Sequence, residues 1–451
     1  MTADTILALS TPPGVSGLAV IRLSGPACAE AARTCLGRGD WKPRLLHTAV
    51  FRDPANGEAL DQLAFHMLPG PESPTGEDVL EIFPHGNPLL IETLLRALLR
   101  LRLPAGSGAI RMAEPGEFTR RAFENGRLDL VQAEAVGALI HAQTPAALRN
   151  ARRLLAGELS APLRALRDRL LDLSARLELD ADFAEEEADP DYDSWMPRLE
   201  EARAAVESLL RGFERGRNWN RVPRAVFFGA PNAGKSSLIN ALTGRDRLLV
   251  SEVAGTTRDF VDVPLRLAGG LAQLVDTAGL GQAVDALDAL AMERTRAQLG
   301  DSDLRVFVMD GTKDIGALAE DADLRVLTKS DLPGFARPTA GSGDAPREGW
   351  FTVSSRTGEG LDALLAELER RLAPAEDAGE GVVAVTERQR GALERARDRL
   401  LAAEAHLREK PAVEILAFEV REAAGALREL LGEVTPDDVL RRLFAGFCIG
   451  K

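Results

Sequence analysis

Apolar residues change their spacing along this chain, and each change marks a different kind of structure. Up to about residue 125 they fall in short runs. Thr5–Leu9 and Gly17–Leu23 read as strands flanking the turn cluster Ser10-Thr-Pro-Pro-Gly14. From about Leu128 the period becomes helical. Leu199, Ala202, Val206, Leu209 and Phe213 recur on one helical face. The run Asp180-Ala-Asp-Phe-Ala-Glu-Glu-Glu187 interrupts this block and reads as an exposed, charged connection. From Val222 strand-like runs alternate with helical segments. The strands are Ala225–Phe228, Val261–Leu267, Leu271–Val275, Leu304–Met309, Leu324–Thr328 and Trp350–Val353. Such alternation predicts a mainly parallel sheet with helices on both faces. The Pro-, Gly- and Ala-rich segment Phe335–Glu348 reads as a loop, and Ala373–Glu380 closes the domain.

Helices then return. Thr386 and Gln389 have the spacing of a capping box, and Leu393, Ala396, Leu400, Ala403 and Leu407 share a face. Thr435-Pro436-Asp437-Asp438 predicts a helix start, with a threonine cap, a proline in the first turn and acids that favour the helix dipole. Neither helical block has an evident core of its own, so the two should pack together. The predicted order is an α+β domain over 1–124, helices over 125–218, an inserted α/β domain over 219–376, and helices over 377–451. No internal repeat is visible.

Composition narrows the class. The chain has 451 residues, 45% hydrophobic and 27% charged, with ample length for more than one core. No stretch of about 18 apolar residues predicts a membrane helix. Met1-Thr-Ala-Asp does not begin a secretory leader, and three cysteines (Cys28, Cys35, Cys448) do not make a disulfide framework, so the expected location is the cytoplasm. A net charge of −14 argues against indiscriminate nucleic-acid binding. The arginine-rich stretch from Arg149 to Arg169 reads as a solvated helix face.

The chemistry is announced by Gly229-Ala-Pro-Asn-Ala-Gly-Lys-Ser236, which fits the phosphate-binding loop G-x-x-x-x-G-K-[ST]. Glycines let the backbone turn so that successive N–H groups face phosphate oxygens. Lys235 brings a point charge to the β/γ-phosphates, and the Ser236 hydroxyl suits Mg²⁺. Arg224–Phe228 supplies the strand before the loop, and Ser237–Leu242 the helix after it.

Four further segments follow in order. Asp276-Thr277-Ala278-Gly279 ends a strand; its Asp can hold Mg²⁺ through water and Gly279 N–H can meet a γ-phosphate. Thr328-Lys329-Ser330-Asp331 ends another, and Asp331 can accept from guanine N1–H and N2–H₂. A site built on such a pair discriminates by about 10⁴ or more. Ser354-Ser355-Arg356 follows the last strand, where backbone amides can meet guanine O6. The loop Ser251-Glu252-Val253-Ala254-Gly255-Thr256-Thr257 lies between, where a threonine can complete the Mg²⁺ shell. With Asn232, Ala233, Gly234, Lys235, Ser236 and Ser237 of the P-loop, these residues form the expected GTP site. Leu280 stands where Ras-like switches carry a water-orienting glutamine, so catalysis must use another group, with Gln282, Asp285 and Asp288 nearest. Asn232 and the loop Ser251–Thr256 can together supply oxygens to a monovalent cation.

In order, the five segments resemble the signature of translation-factor-class GTPases. The termini then make the resemblance specific. Cys448-Ile449-Gly450-Lys451 is similar to the C-x-G-K end of the MnmE (TrmE) family. So are Ile21-Arg22-Leu23-Ser24-Gly25, Thr75-Gly76-Glu77-Asp78, Glu81, His85-Gly86, and Pro115-Gly116-Glu117-Phe118-Thr119 through Gln132-Ala133-Glu134-Ala135.

The resemblance covers essentially the whole chain. It implies a homodimer joined through the N-terminal domain, and a G domain inserted in the helical one. It implies K⁺-promoted GTP hydrolysis on G-domain association. With the FAD-containing partner MnmG, in a heterotetramer, such proteins install an aminomethyl or carboxymethylaminomethyl group at C5 of wobble uridine 34 in certain tRNAs. A tetrahydrofolate derivative, 5-formyl- or 5,10-methylene-, donates the one-carbon unit. By position, Arg22, Glu81, Arg127 and Lys451 match the folate contacts. Asn232, Ser251, Val253 and Thr256 match the K⁺ ligands, Ser236 and Thr257 the Mg²⁺ ligands, and Cys448 the functional cysteine.

Departures carry expectations of their own. The family's water-orienting glutamate falls at Asp288, one methylene shorter, and Gly281 stands where an arginine is common. Thr328 replaces an asparagine and should bridge less well to the P-loop, with reduced nucleotide affinity as the expected result. Pro74 replaces an aromatic and Asn87 a glycine. These predict slower or more assembly-dependent hydrolysis. Two other readings compete: a ribosome-assembly or RNA-release GTPase switch, which calls for an RNA-binding module not visible here, and a folate-binding scaffold with a decayed GTPase.

Overall fold

The computed structural model describes residues 4–37, 41–104, 108–182, 192–216, 222–244, 262–267, 270–276, 302–313, 322–336, 350–372, 383, 385–409 and 412–450. They fall into two compact units. One comprises Met1–His141, Asn150–Glu214 and Val383–Lys451; the other comprises Ala142–Arg149 and Arg215–Val382.

In the first unit, six strands form a sheet of order β3-β4-β5-β2-β1-β6. They are β1 (Thr5–Leu9), β2 (Ile21–Ser24), β3 (His47–Arg52), β4 (Ala59–Leu68), β5 (Val79–Phe83) and β6 (Ile110–Met112). Only the β1–β6 pair is parallel. Alternation along the strands sorts the two faces. Leu7, Ile21, Leu23, Phe65 and Ile82 join the core with residues of helices Cys28–Leu36 and Pro88–Leu99. Ile6 and Ala8 on the other face pack with Ala113 and Phe118. The strand expected from Gly17 begins only at Ile21. Residues before it are held irregularly, with Ala19 N donating to Pro84 O and Ser16 N to Gly86 O. Asn87 has a clear role: its side chain accepts from Leu89 N and Leu90 N and caps the helix that begins at Pro88.

The helical part has one core built from both sequence blocks. Leu163, Leu166, Leu170 and Leu173 of helix Ser160–Asp182 and Leu199, Ala202 and Val206 of helix Tyr192–Gly216 belong to it. So do Leu393, Ala396, Leu400 and Ala403 of helix Glu387–Arg408 and Leu416, Val420, Ala423 and Leu427 of helix Val413–Leu431. The Phe213 side chain lies outside the described residues. The Thr386–Gln389 capping box forms in both directions. The predicted cap at Thr435 does not: helix Asp437–Ala445 has Pro436 at its cap position, and the Thr435 hydroxyl donates back to Glu429 O at 3.3 Å. The acidic run starts inside a helix, which continues to Asp182; its remainder lies outside the described residues.

The second unit is a mixed α/β body whose sheet has the order β12-β11-β10-β7-β9-β8. Its strands are β7 (Arg224–Phe228), β8 (Asp262–Leu267), β9 (Gly270–Asp276), β10 (Leu304–Asp310), β11 (Leu324–Thr328) and β12 (Trp350–Thr352). All neighbours are parallel except β8 and β9. The strands of this core are rich in valine, leucine and phenylalanine, as buried parallel strands require. β7 lies between β10 and β9, so the loops after these central strands open on one edge, where ligands of such sheets bind.

Candidate nucleotide site and the Arg22–Glu81 pair

The P-loop leaves β7 through Gly229, whose φ is +146°. A Cβ there would lie 2.1 Å from Val308 O, so only glycine passes. Asn232 follows in the left-handed region at φ 62° and Gly234 at φ 91°. Alternating hands of this kind turn backbone N–H groups into a concave anion nest. Lys235 opens helix Lys235–Gly244 and is 4% exposed, its Nζ donating to Gly229 O (2.9 Å) and Ala230 O (2.8 Å). Burial lowers the pKa of this ammonium, and the nearby Asp276 charge partly opposes the shift. Ser236 and Ser237 are exposed on the first turn, and Asp276 ends β9, nearly buried.

The base-recognition loop is tied to the P-loop. Thr328 Oγ1 lies 2.6 Å from Ala233 O and 3.0 Å from Met309 O. A bridge from the base-recognition loop to the P-loop is therefore present, carried by the threonine hydroxyl. The two loops approach so closely that a Cβ on Gly234 would lie 3.2 Å from Thr328 Oγ1, and a short side chain spans the gap. Asp331 is exposed, and its Oδ1 accepts from Ser354 Oγ at 2.7 Å. Ser354 is fully buried and its hydroxyl also accepts from Arg356 N and Thr357 N. Ser354 N donates to Glu359 O. Ser354 thus holds Asp331, and of the three expected amides those of Ser354 and Arg356 are paired within the protein. Ser355 is half-buried and Arg356 exposed.

Ser251, Glu252, Val253, Ala254, Gly255, Thr256, Thr257, Thr277, Ala278, Gly279, Leu280, Gly281, Gln282, Asp285, Asp288 and Lys451 lie outside the described residues.

In the first unit, strand register places Arg22, Glu81 and His66 side by side on β2, β5 and β4. They share the face opposite the helices, toward Phe118, whose ring centroid is 5.7 Å from the Arg22 guanidinium carbon. Arg22 Nε donates to Glu81 Oε1 at 2.7 Å, and His66 Nε2 lies 2.7 Å from Glu81 Oε2. Burial pushes the Glu81 carboxyl up, but the Arg22 guanidinium and His66 together hold it below the usual range. His66 escaped the sequence reading; its signal was a lone imidazole on the polar alternation of an otherwise apolar strand.

Arg127 is exposed and lines a cleft of about 520 Å³ with Phe123, Asp129, Gln132, Arg164 and Glu433. The structure pairs Arg22 with Glu81. Cys448 is exposed, and its carbonyl accepts from Gly116 N. Gly450, at φ 90°, lies so near the end of β1 that a Cβ would be 2.6 Å from Leu9 O. The C-terminal tail thus lies beside Leu9, next along β1 to Ala8, the cross-strand partner of Arg22.

The motif acids Glu77 and Glu117 are structural. Glu77 accepts from Ser24 Oγ and Arg121, and Glu117 from Arg111, Arg121 and Glu114 N.

Two family models match the chain: the TrmE N-terminus over residues 5–127 and the MnmE helical domain over residues 130–448. A protein of Azoarcus sp. named tRNA modification GTPase MnmE is 41% identical over 99% of this chain and 98% of its own length. One of the same name from Parvibaculum lavamentivorans is 40% identical over 99% and 100%. Among solved structures, the G domain of the T. maritima iron transporter FeoB is 25% identical, over 34% of this chain and 99% of its own, with a TM-score of 0.24. On the two family models and the full-length relatives, the chain belongs to the MnmE (TrmE) family of tRNA modification GTPases.

Proposed function

We propose that this protein hydrolyses GTP, activated by K⁺, in the modification of wobble uridine 34 of certain tRNAs at C5. The observation that carries the reading is the joined pair of loops: Thr328 on Ala233 at the phosphate side, and Ser354 on Asp331 at the base side. An exposed carboxylate held by a buried hydroxyl suits guanine N1–H and N2–H₂ and leaves adenine unmatched. Lys235, held over the loop by two carbonyls, would turn to the β/γ-phosphates.

Ser236, exposed on the first helical turn, would hold Mg²⁺ with Thr257; Asn232, Ser251, Val253 and Thr256 would hold K⁺. Both ions, when bound, set positive charge against phosphate oxygens. Asp288 would orient the attacking water. Arg22, Glu81, Arg127 and Lys451 would bind a tetrahydrofolate derivative, with Cys448 acting at that end of the tail. The paired Arg22 and Glu81 suit this role, offering a cation for the glutamate tail and a carboxylate for pterin donors. The reading includes the domain limits 1–124, 125–218, 219–376 and 377–451. It also includes a cytoplasmic homodimer and a heterotetramer with the FAD-containing MnmG.

GTP hydrolysis by the purified chain in K⁺ and in Na⁺, alongside co-purification of an FAD-containing protein, tests the proposal. Faster turnover in K⁺ and a bound flavoprotein are expected. Equal rates in the two salts together with no flavoprotein would overturn it.

A further inference from the structure

Asp310 ends β10 and is 8% exposed. Its oxygens are divided between two tasks. Oδ1 accepts from Thr312 N (3.0 Å) and Thr312 Oγ1 (2.7 Å), closing a local turn. Oδ2 accepts from Lys329 Nζ at 2.6 Å. The same Nζ donates to Asn232 O at 3.1 Å. Lys329 and Asn232 both lie in the left-handed region, with φ of 65° and 62°. Among the described residues Arg44, in the other unit, is the one further non-glycine residue with positive φ. A single ammonium therefore joins the two described non-glycine residues of this unit that stand in that region.

A free lysine side chain samples many rotamers, and an unrestrained Nζ would spend little time on the Asn232 carbonyl. A nearly buried carboxylate at 2.6 Å removes that freedom. We infer that Asp310 is a positioning residue of the GTP site, anchoring Lys329 so that it clamps the Asn232 carbonyl and locks the base-recognition loop to the phosphate loop. Asp310 acts through Lys329 and touches no nucleotide itself. The inference rests on guanine-nucleotide binding and needs neither the folate nor the K⁺ part of the proposal above.

The carboxylate's other task offers a rival explanation, in which Asp310 merely closes its own turn. Asp310→Asn separates the two. The asparagine oxygen still accepts from Thr312, while its NH₂ group cannot accept from an ammonium. The test is mant-GDP affinity and dissociation rate in the full-length chain, with thermal melting as control. Wild type, D310N, K329M and the double variant are compared.

D310N is expected to weaken mant-GDP binding roughly ten- to a hundredfold, mainly through faster dissociation, with little change in melting temperature. On the K329M background it is expected to add nothing. D310N binding like wild type would overturn the inference. So would a loss of the same size in the K329M background, or a large fall in melting temperature without weaker binding.

Discussion

The hydroxyl of Thr328 lies 2.6 Å from the carbonyl oxygen of Ala233, which is itself 2% exposed. This contact secures the P-loop where the sequence predicts a loose joint. Thr328→Val keeps the shape and removes the donor, leaving the carbonyl unpaired. Unfolding stability is expected to fall by about 1–3 kcal/mol, measured by urea titration, and mant-GDP should dissociate faster. Unchanged stability would show that the contact contributes nothing.

Ser354 places its buried hydroxyl on Asp331. Ser354→Ala should reduce the preference for GDP over IDP, because IDP lacks the N2–H₂ donors that a fixed carboxylate reads. Competition of the two against mant-GDP measures the ratio. A ratio equal to wild type would remove Ser354 from specificity.

The thiols should differ sharply in reactivity. Burial raises Cys28 far above the usual thiol range and, with Asp53 adding to it, pushes Cys35 up to about 12, while Cys448 is exposed. Thiolates are the reacting species. One modified cysteine, Cys448, is expected after brief alkylation of the native protein at pH 8, read by peptide mass spectrometry. Labelling of Cys28 or Cys35 at a similar rate would contradict the described core.

Acid should loosen the first unit through its paired carboxylates. For Glu117, burial raises the pKa, but hydrogen bonds from Arg111, Glu114 N and Arg121 and the Arg111 charge lower it below 4.5 overall. Asp4 is lowered below 3.8 in the same way. A depressed folded-state pKa gives stability that is present above the unfolded value and lost as pH falls through the folded one. Melting temperature should therefore hold steady above about pH 5 and fall below it. Glu117→Gln should melt lower at pH 7 and show a shallower acid slope.

Much of this was legible in the sequence, for physical reasons. The P-loop strand, its glycines and the alternating α/β elements follow from local backbone demands, which short windows record. Asn87 was visible as a departure, but its capping role needed the helix start at Pro88. Ser354 was placed in the right loop, but its contact with Asp331 was not legible, because it joins chain segments following different strands. His66 and Asp310 were missed for the same reason. Each is an ordinary residue until strand register sets it beside Glu81 or Lys329. The cap assigned to Thr435 failed because its hydroxyl found a carbonyl of the preceding helix.

The shared helical core also constrains how the protein is made. Leu163, Leu166, Leu170 and Leu173 leave the ribosome long before Leu400, Leu416 and Leu427, their companions in the same cluster. At about 5–20 residues per second, synthesis of the intervening chain takes on the order of ten to forty seconds. Through that interval the first helices carry bare leucine faces while an entire α/β body is being translated. A nascent chain paused within that body is a prime target for trigger-type chaperones and for aggregation, and ribosome-bound intermediates halted before Glu387 should carry most of the folding risk.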